Sequence, residues 1–134
     1  MDEVHLLSIE SENTSEASEV LIVEDDDLIR EAVRELLEFE GIRALTAENG
    51  QQALNLLRES SSPPALILLD LMMPVLDGWS FLEERSRDAR LSEIPVVVVT
   101  AVSDDKLKEV SADGVIKKPF DFKELVSSIR SYLH

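Results

Sequence analysis

The sequence contains no cysteine, and its 13 lysine and arginine residues are outnumbered by 28 aspartate and glutamate residues. Without cysteine, the chain can form neither a disulfide framework nor a cysteine-ligated zinc site. The formal net charge of −15 argues against binding of nucleic acid or of an anionic membrane surface. Acids spread over a surface favour solubility, whereas acids that converge on one point bind cations. The positions of the acids decide between these interpretations.

Long hydrophobic runs are also missing. The longest, residues 95–99 with its flanks, is far too short to cross a bilayer. Asp2 and Glu3 stand where a signal peptide has basic residues. We therefore expect a cytoplasmic protein without membrane insertion. A length of 134 residues with 44% hydrophobic residues fits one domain with one core.

Residues 1–19 differ in composition from the rest of the chain. They contain six acids, no lysine or arginine, and frequent serine and threonine between residues 8 and 18. This composition is typical of a flexible acidic extension, in which residues 4–7 form a short apolar patch suited to docking. We predict an extension over residues 1–19 and a folded domain over residues 20–134.

After the extension, five short apolar runs alternate with segments of helical periodicity. The predicted strands are residues 20–23, 42–46, 65–69, 95–100 and 115–116. Gly41 is expected to end the first helix, and Asp121 with Glu124 resembles a capping box at the start of the last. Leu107 and Val110 indicate a short fourth helix. Apolar strands separated by amphipathic helices predict a doubly wound α/β sandwich with a parallel sheet.

Ligands bind at the carboxyl ends of the strands in such a sheet. An acidic run at residues 24–27 follows the first strand, Asp70 follows the third, Thr100 ends the fourth and Lys118 follows the fifth. Because the carboxyl ends of parallel strands lie along one edge, we expect these groups to converge there.

Four segments resemble the motifs of response-regulator receiver domains, such as chemotaxis regulators. They are LIVEDD at residues 21–26, LLDLMMP at 68–74 with Asp-Gly at 77–78, VVVTA at 97–101, and KPF at 118–120. Each motif is weak alone, but all four in this order are specific, and the resemblance covers residues 20–133. It implies a flavodoxin-like sheet of five parallel strands in the order 2-1-3-4-5, with five helices.

The resemblance also implies a phosphorylation site. Asp70 would accept a phosphoryl group as an acyl phosphate. Glu24, Asp25 and Asp70, with the backbone carbonyl of Met72, would hold Mg²⁺, with Mn²⁺ as an alternative ion.

The acids after the first strand also suit the start of a helix, where they favour the positive end of its dipole. We interpret Asp27 as the helix cap and leave the role of Asp26 open.

Lys118 and Thr100 complete the implied site. Lys118 would contact a phosphoryl oxygen as a point charge, and the hydroxyl of Thr100 would bond the phosphoryl group. The neighbouring Lys117 is interpreted as solvated, and small Ala101 as leaving access to the site. The resemblance also implies a cis bond between Lys118 and Pro119.

The function implied is that of a signalling domain that catalyses its own phosphorylation and dephosphorylation, and not that of an enzyme with a separate substrate. The donor would be a sensor histidine kinase or a histidine phosphotransfer protein, and phosphorylation would switch binding to a downstream protein. A DNA-binding regulator would need a further basic domain.

Two features depart from the family pattern. Val115 stands where the family usually has Tyr or Phe, which moves inward together with the hydroxyl residue. The interval between Thr100 and Lys118 is short by about four residues, roughly one helical turn, which predicts a shortened fourth helix. Both features affect partner recognition, and they lend weight to an alternative function, a phosphorylation-independent binding module.

A third candidate is an aspartyl-nucleophile hydrolase of the haloacid dehalogenase type. Such an enzyme usually has a second Asp two residues after the nucleophile, where this chain has Met72. This position argues strongly against a hydrolase.

Overall fold

The computed structural model describes residues 19–133, so that most of the predicted N-terminal extension lies outside the described residues. Within this described part of the chain, five strands and five helices alternate. The strands are β1 Val20–Val23, β2 Ala44–Ala47, β3 Leu66–Leu69, β4 Val96–Thr100 and β5 Gly114–Lys117. The helices are α1 Asp27–Phe39, α2 Gly50–Glu59, α3 Gly78–Ser86, α4 Asp104–Leu107 and α5 Phe122–Arg130.

The strands form one parallel sheet in the order β2-β1-β3-β4-β5, which confirms the expected flavodoxin-like topology. All residues of β1, β3 and β4 are buried, as the continuous apolar runs predicted. In the pairing of β1 with β3, Val23 lies opposite Leu69. The two central strands therefore end side by side, and the residues that follow them are neighbours.

Alternate residues of the central strands β1, β3 and β4 enter one of two hydrophobic layers. Leu21 and Val23 of β1 belong to the layer with Leu54 of α2 and Phe81 of α3. Val20 and Ile22 belong to the layer on the other face, which includes Leu37 of α1 and Ile129 of α5. The period-two alternation of side chains along a strand produces this division.

The start of α1 corrects one sequence interpretation. The helix begins at Asp27, and the capping residue is Asp26, whose carboxylate accepts hydrogen bonds from Leu28 N at 2.9 Å and Ile29 N at 3.0 Å. Asp27 is already helical, so its side chain is not in the position of a cap. At the other end, Gly41 adopts a φ of 83°, the left-handed conformation that ends a helix with little strain in glycine.

Helix α4 has only four residues, as the short interval between Thr100 and Lys118 predicted. Val110 lies beyond its end, although Leu107 and Val110 both pack against the core. None of the helices in residues 19–133 is long and apolar enough to cross a bilayer.

Candidate functional site

The structure brings three carboxylates together beyond the ends of β1 and β3. Each of Glu24, Asp25 and Asp70 offers one oxygen, and these oxygens lie within 4.8 Å of one another. Glu24 is 5% exposed and Asp70 is 6% exposed, whereas Asp25 faces solvent. The backbone amide of Asp70 donates to Val23 O at 3.0 Å, which continues the sheet pairing to the first residue of the site.

Lys118 reaches this cluster from the end of β5. Its Nζ lies 2.8 Å from Glu24 Oε1 and 3.5 Å from Asp70 Oδ2, and its side chain is 16% exposed. The backbone amide of Lys118 donates to Thr100 O at 2.8 Å, and the bond to Pro119 is cis, as the motif implied. The site therefore combines three acids with one shielded cation.

Burial dominates the electrostatics of Glu24. It raises the pKa of the Glu24 carboxyl, and the nearby charge of Asp70 raises it further. The hydrogen bonds from Lys118 and the Asp26 amide and the charge of Lys118 lower the pKa, but the net result is a pKa above the ordinary value. For Lys118, burial lowers the pKa, but the hydrogen bond to Glu24 and the charges of Asp70 and Glu24 outweigh burial and leave the pKa above its ordinary value. The raised pKa of Lys118 favours its protonated, cationic form, whereas burial makes the ionised form of Glu24 less favourable.

Thr100 and Met72 lie next to the cluster in less direct ways. Thr100 is fully buried, and its hydroxyl accepts a hydrogen bond from Val102 N at 3.3 Å. Met72 N donates to Asp70 Oδ1 at 3.4 Å, while the residue as a whole is 57% exposed. The contribution of Met72 as a carbonyl ligand stays a prediction.

Two charged residues that neighbour the site in the sequence, Lys117 and Asp27, lie outside the cluster of carboxylates. Lys117 is exposed and pairs with Asp104 at the start of α4 at 2.8 Å, and this hydrogen bond lowers the pKa of Asp104. Asp27 pairs with Arg30 at 2.5 Å. Neither Lys117 nor Asp27 belongs to the cluster of Glu24, Asp25 and Asp70.

We did not predict a role for Arg30 from the sequence. It is 9% exposed and donates to the backbone carbonyl of Glu24 at 3.0 Å. A signal was present, because Arg30 precedes the apolar residues Val33 and Leu37 at the spacing i, i+3 and i+7, which places it on the buried face of α1. A charged residue on that face needs a buried partner.

The donor set fits a hard divalent cation. Carboxylate oxygens are the ligands preferred by Mg²⁺ and Mn²⁺, and the set contains neither sulfur nor imidazole. A cation would also offset the repulsion among the three acids, of which only Glu24 and Asp70 pair with Lys118. Next to it, a carboxylate at Asp70 and the ammonium of Lys118 provide a nucleophile and a positive charge for a transferred anionic group.

Comparison with known proteins identifies the family. The profile of the response regulator receiver domain matches residues 20–130. The chain belongs to this family. Receiver domains are the phosphoryl-accepting signalling domains of two-component systems.

Among curated relatives, the phosphate regulon transcriptional regulatory protein PhoB of Escherichia coli is 40% identical over 121 residues, which are 87% of this chain and 52% of PhoB. The probable transcriptional regulator ycf27 of Porphyra purpurea is 36% identical over 123 residues, 89% of this chain and 49% of the relative. The chain thus spans about half the length of these regulators.

Among solved structures, the response regulator TrrA of Thermotoga maritima, in complex with Mg²⁺-BeF, is 30% identical, with a TM-score of 0.76. The match covers 87% of this chain and 99% of TrrA. The range matched by the family profile contains all four sequence motifs.

Proposed function

We propose that Asp70 accepts a phosphoryl group from the phosphohistidine of a sensor histidine kinase or a histidine phosphotransfer protein, and that phosphorylation switches the binding of a downstream protein. One observation carries the proposal: buried Asp70 lies next to two further acids and to the largely buried ammonium of Lys118. Membership of the receiver family supports the same function.

In the proposed transfer, a carboxylate oxygen of Asp70 attacks the phosphorus atom on the side opposite the donor nitrogen. The P–N bond breaks, its electron pair returns to the imidazole, and an acyl phosphate forms on Asp70. Lys118, 3.5 Å from Asp70 Oδ2, stabilises the negative charge on the transferred oxygens. A water molecule later attacks the phosphorus atom, the bond between phosphorus and the Asp70 oxygen breaks, and inorganic phosphate leaves, which restores the carboxylate.

We further propose that Glu24, Asp25, Asp70 and the carbonyl of Met72 hold Mg²⁺ during these reactions, with Mn²⁺ as a substitute. The ion would neutralise charge on the phosphoryl oxygens. Glu24 and Asp25 are then required as ligands, and the distance between their oxygens and those of Asp70 matters more than their charge alone.

The switch in this proposal begins with Thr100 and Lys118, which lie at the ends of neighbouring strands. A phosphoryl dianion on Asp70 adds strong acceptors, and the Thr100 hydroxyl would exchange its bond with Val102 N for a bond to the phosphoryl group. At position 115 the chain has a valine that is 46% exposed, so the signal cannot pass through an aromatic ring there. With only one turn of α4, we expect the partner surface to differ from the usual one.

The same two features favour a second candidate, a phosphorylation-independent binding module. In either case we propose protein partners and not DNA as the targets of residues 20–134, because acids outnumber lysine and arginine in this range and the excess negative charge repels phosphate backbones. Residues 1–19 remain an acidic extension in this proposal.

Intact-mass spectrometry after incubation with acetyl phosphate and Mg²⁺ tests the proposed chemistry. We expect wild type to gain one phosphoryl group, and Asp70→Asn or EDTA treatment to prevent the gain. Asp77→Asn is the matched control, because Asp77 caps α3 close to the site and asparagine is an equally good cap.

Asp77→Asn should gain the phosphoryl group like wild type. If folded wild type that binds Mg²⁺ gains nothing, and a phosphohistidine donor also fails, the phosphorylation-independent module becomes the better function.

A further inference from the structure

Arg30 connects the first turn of α1 to the end of β1. Its side chain is 10% exposed, Nη1 donates to the backbone oxygen of Glu24 at 3.0 Å, and Nη2 lies 2.5 Å from Asp27 Oδ1. The backbone amide of Arg30 donates to Asp26 O at 2.9 Å. The guanidinium of Arg30 therefore contacts both the first and the last residue of the β1–α1 turn, residues 24–27.

The peptide unit that Arg30 holds is the one between Glu24 and Asp25, since its oxygen is Glu24 O. The orientation of this unit determines where the backbone of Asp25 lies. Glu24 has further restraints, because its carboxylate accepts hydrogen bonds from Asp26 N at 3.1 Å and Lys118 Nζ at 2.8 Å. Asp25 is exposed and has a short side chain, so the position of its carboxylate depends mainly on the backbone.

We propose that Arg30 is a positioning residue for the cation site, which keeps the carboxylate of Asp25 within ligand distance of those of Glu24 and Asp70. This inference rests on the proposed function, because it takes the three acids to be cation ligands. Arg30 itself does not contact the ion.

A positioning role and a simple charge effect make opposite predictions. Removing a cation leaves the surroundings of the site more negative, and charge alone would then tighten the binding of a divalent ion. Removing a positioning residue frees the turn and weakens binding. Loss of groups that orient metal ligands typically lowers affinity about 10- to 100-fold.

The test is Mn²⁺ binding to the full chain, measured by the electron paramagnetic resonance signal of the free ion and repeated with Mg²⁺ as competitor. We expect Arg30→Met to weaken binding about tenfold. Arg34→Met is the matched control, because Arg34 lies on the same helix but pairs with Glu31 and Glu38 on its surface. It should bind Mn²⁺ at least as tightly as wild type.

Arg30→Lys separates geometry from charge, because lysine keeps the charge but lacks the two-armed guanidinium. We expect intermediate weakening, and thermal unfolding of each variant reports whether it is folded. If Arg30→Met does not fold, Arg30→Lys decides the question: wild-type affinity in that variant would overturn the proposal. Unchanged or tighter binding in folded Arg30→Met would overturn it as well.

The wild-type titration distinguishes the two levels of the argument. If wild type binds Mn²⁺ and Asp25→Asn does not, the cation site stands, and the Arg30 variants test only the positioning role. If wild type binds no Mn²⁺, the proposed cation site fails, and the role of Arg30 fails with it.

Discussion

The ammonium of Lys118 lies closer to Glu24 than to Asp70, at 2.8 Å from Glu24 Oε1 and 3.5 Å from Asp70 Oδ2. In the unphosphorylated chain, this cation therefore mainly offsets a carboxylate whose ionisation burial disfavours. In the proposed mechanism the same ammonium serves Asp70 after phosphorylation. Lys118 thus pairs with Glu24 in the unphosphorylated chain and, in the proposed mechanism, with the phosphoryl group on Asp70.

The first prediction concerns the stability of this ion pair. Lys118→Met leaves Glu24 buried without its cation, and we expect the free energy of unfolding at neutral pH to fall by about 3 kcal/mol. Lys117→Met, which removes an exposed pair, should change it by less than about 0.5 kcal/mol. Urea denaturation in EDTA measures both variants.

The double variant Lys118→Met with Glu24→Gln checks the cause. Because it removes the uncompensated charge as well, it should recover most of the lost stability. Equal stabilities of Lys118→Met and Lys117→Met would contradict the importance of the pair.

A second prediction follows from the raised pKa of Glu24. Burial keeps this pKa above its ordinary value of 4.5, so the folded chain holds the proton more tightly than the unfolded chain does. The stability that this group contributes is fully present below pH 4.5 and is lost as the pH rises through the folded-state pKa. Relative to wild type, Glu24→Gln should therefore become more stable as the pH rises toward neutrality. Urea denaturation across this range without metal provides the test, and a pH-independent difference would refute the prediction.

A third prediction separates stability from cation binding. Asp25 lies in a cluster of three acids within 4.8 Å, so Asp25→Asn relieves repulsion when no cation is present. We expect the free energy of unfolding in EDTA to rise by about 1 kcal/mol, since an exposed group interacts through a high dielectric. Adding excess Mg²⁺ should raise the free energy of unfolding of wild type, because the ion binds the folded state. It should leave that of Asp25→Asn unchanged.

The control for Asp25→Asn is Asp105→Asn, which removes an exposed acid in α4 that pairs with Lys108 at 3.6 Å. Its stability should stay within about 0.5 kcal/mol of wild type. A gain of the same size in both variants would mean that net charge, and not the acid cluster, limits stability.

A fourth prediction links backbone packing to the site. A Cβ on Gly78 would lie 2.6 Å from both Asp70 O and Leu71 Cα, which are backbone atoms of the segment that carries the proposed phosphoacceptor. Gly78→Ala should therefore lower the free energy of unfolding by about 2 kcal/mol and also slow phosphorylation by acetyl phosphate.

Gly41→Ala is the matched control for Gly78→Ala. Its φ of +83° makes alanine strained, but nothing lies within 4 Å of the added Cβ. It should lose about 1 kcal/mol of stability while phosphorylation proceeds at the wild-type rate. Equal rates in Gly78→Ala and wild type would show that the segment tolerates the shift.

The order of strands and helices could be predicted from sequence because buried parallel strands need continuous apolar runs and the helices between them need an apolar face. The first and last residues of each strand and helix were harder to predict than their order. Ile42 is apolar and buried, yet β2 begins only at Ala44, where pairing with Val20 starts. Hydrophobicity identifies burial, whereas the end of a strand is set by its hydrogen-bonding partner.

The convergence of Glu24, Asp25, Asp70 and Lys118 also followed from their positions after parallel strands. The capping assignment was wrong, because consecutive acids are equally suitable caps and only the backbone conformation selects Asp26. Arg30 has the spacing of the buried face of α1, but its partners, the Glu24 carbonyl and the Asp27 carboxylate, are brought to it only by the folded turn.

The most direct test of the central claim is to locate the phosphoryl group. Borohydride reduces an aspartyl phosphate to homoserine, so peptide mapping by mass spectrometry after phosphorylation and reduction identifies the modified aspartate. We predict homoserine at position 70, in an amount that depends on Mg²⁺, and none in Asp70→Asn. Homoserine at another position, such as Asp25, or no homoserine after treatment with both acetyl phosphate and a phosphohistidine donor, would contradict the account.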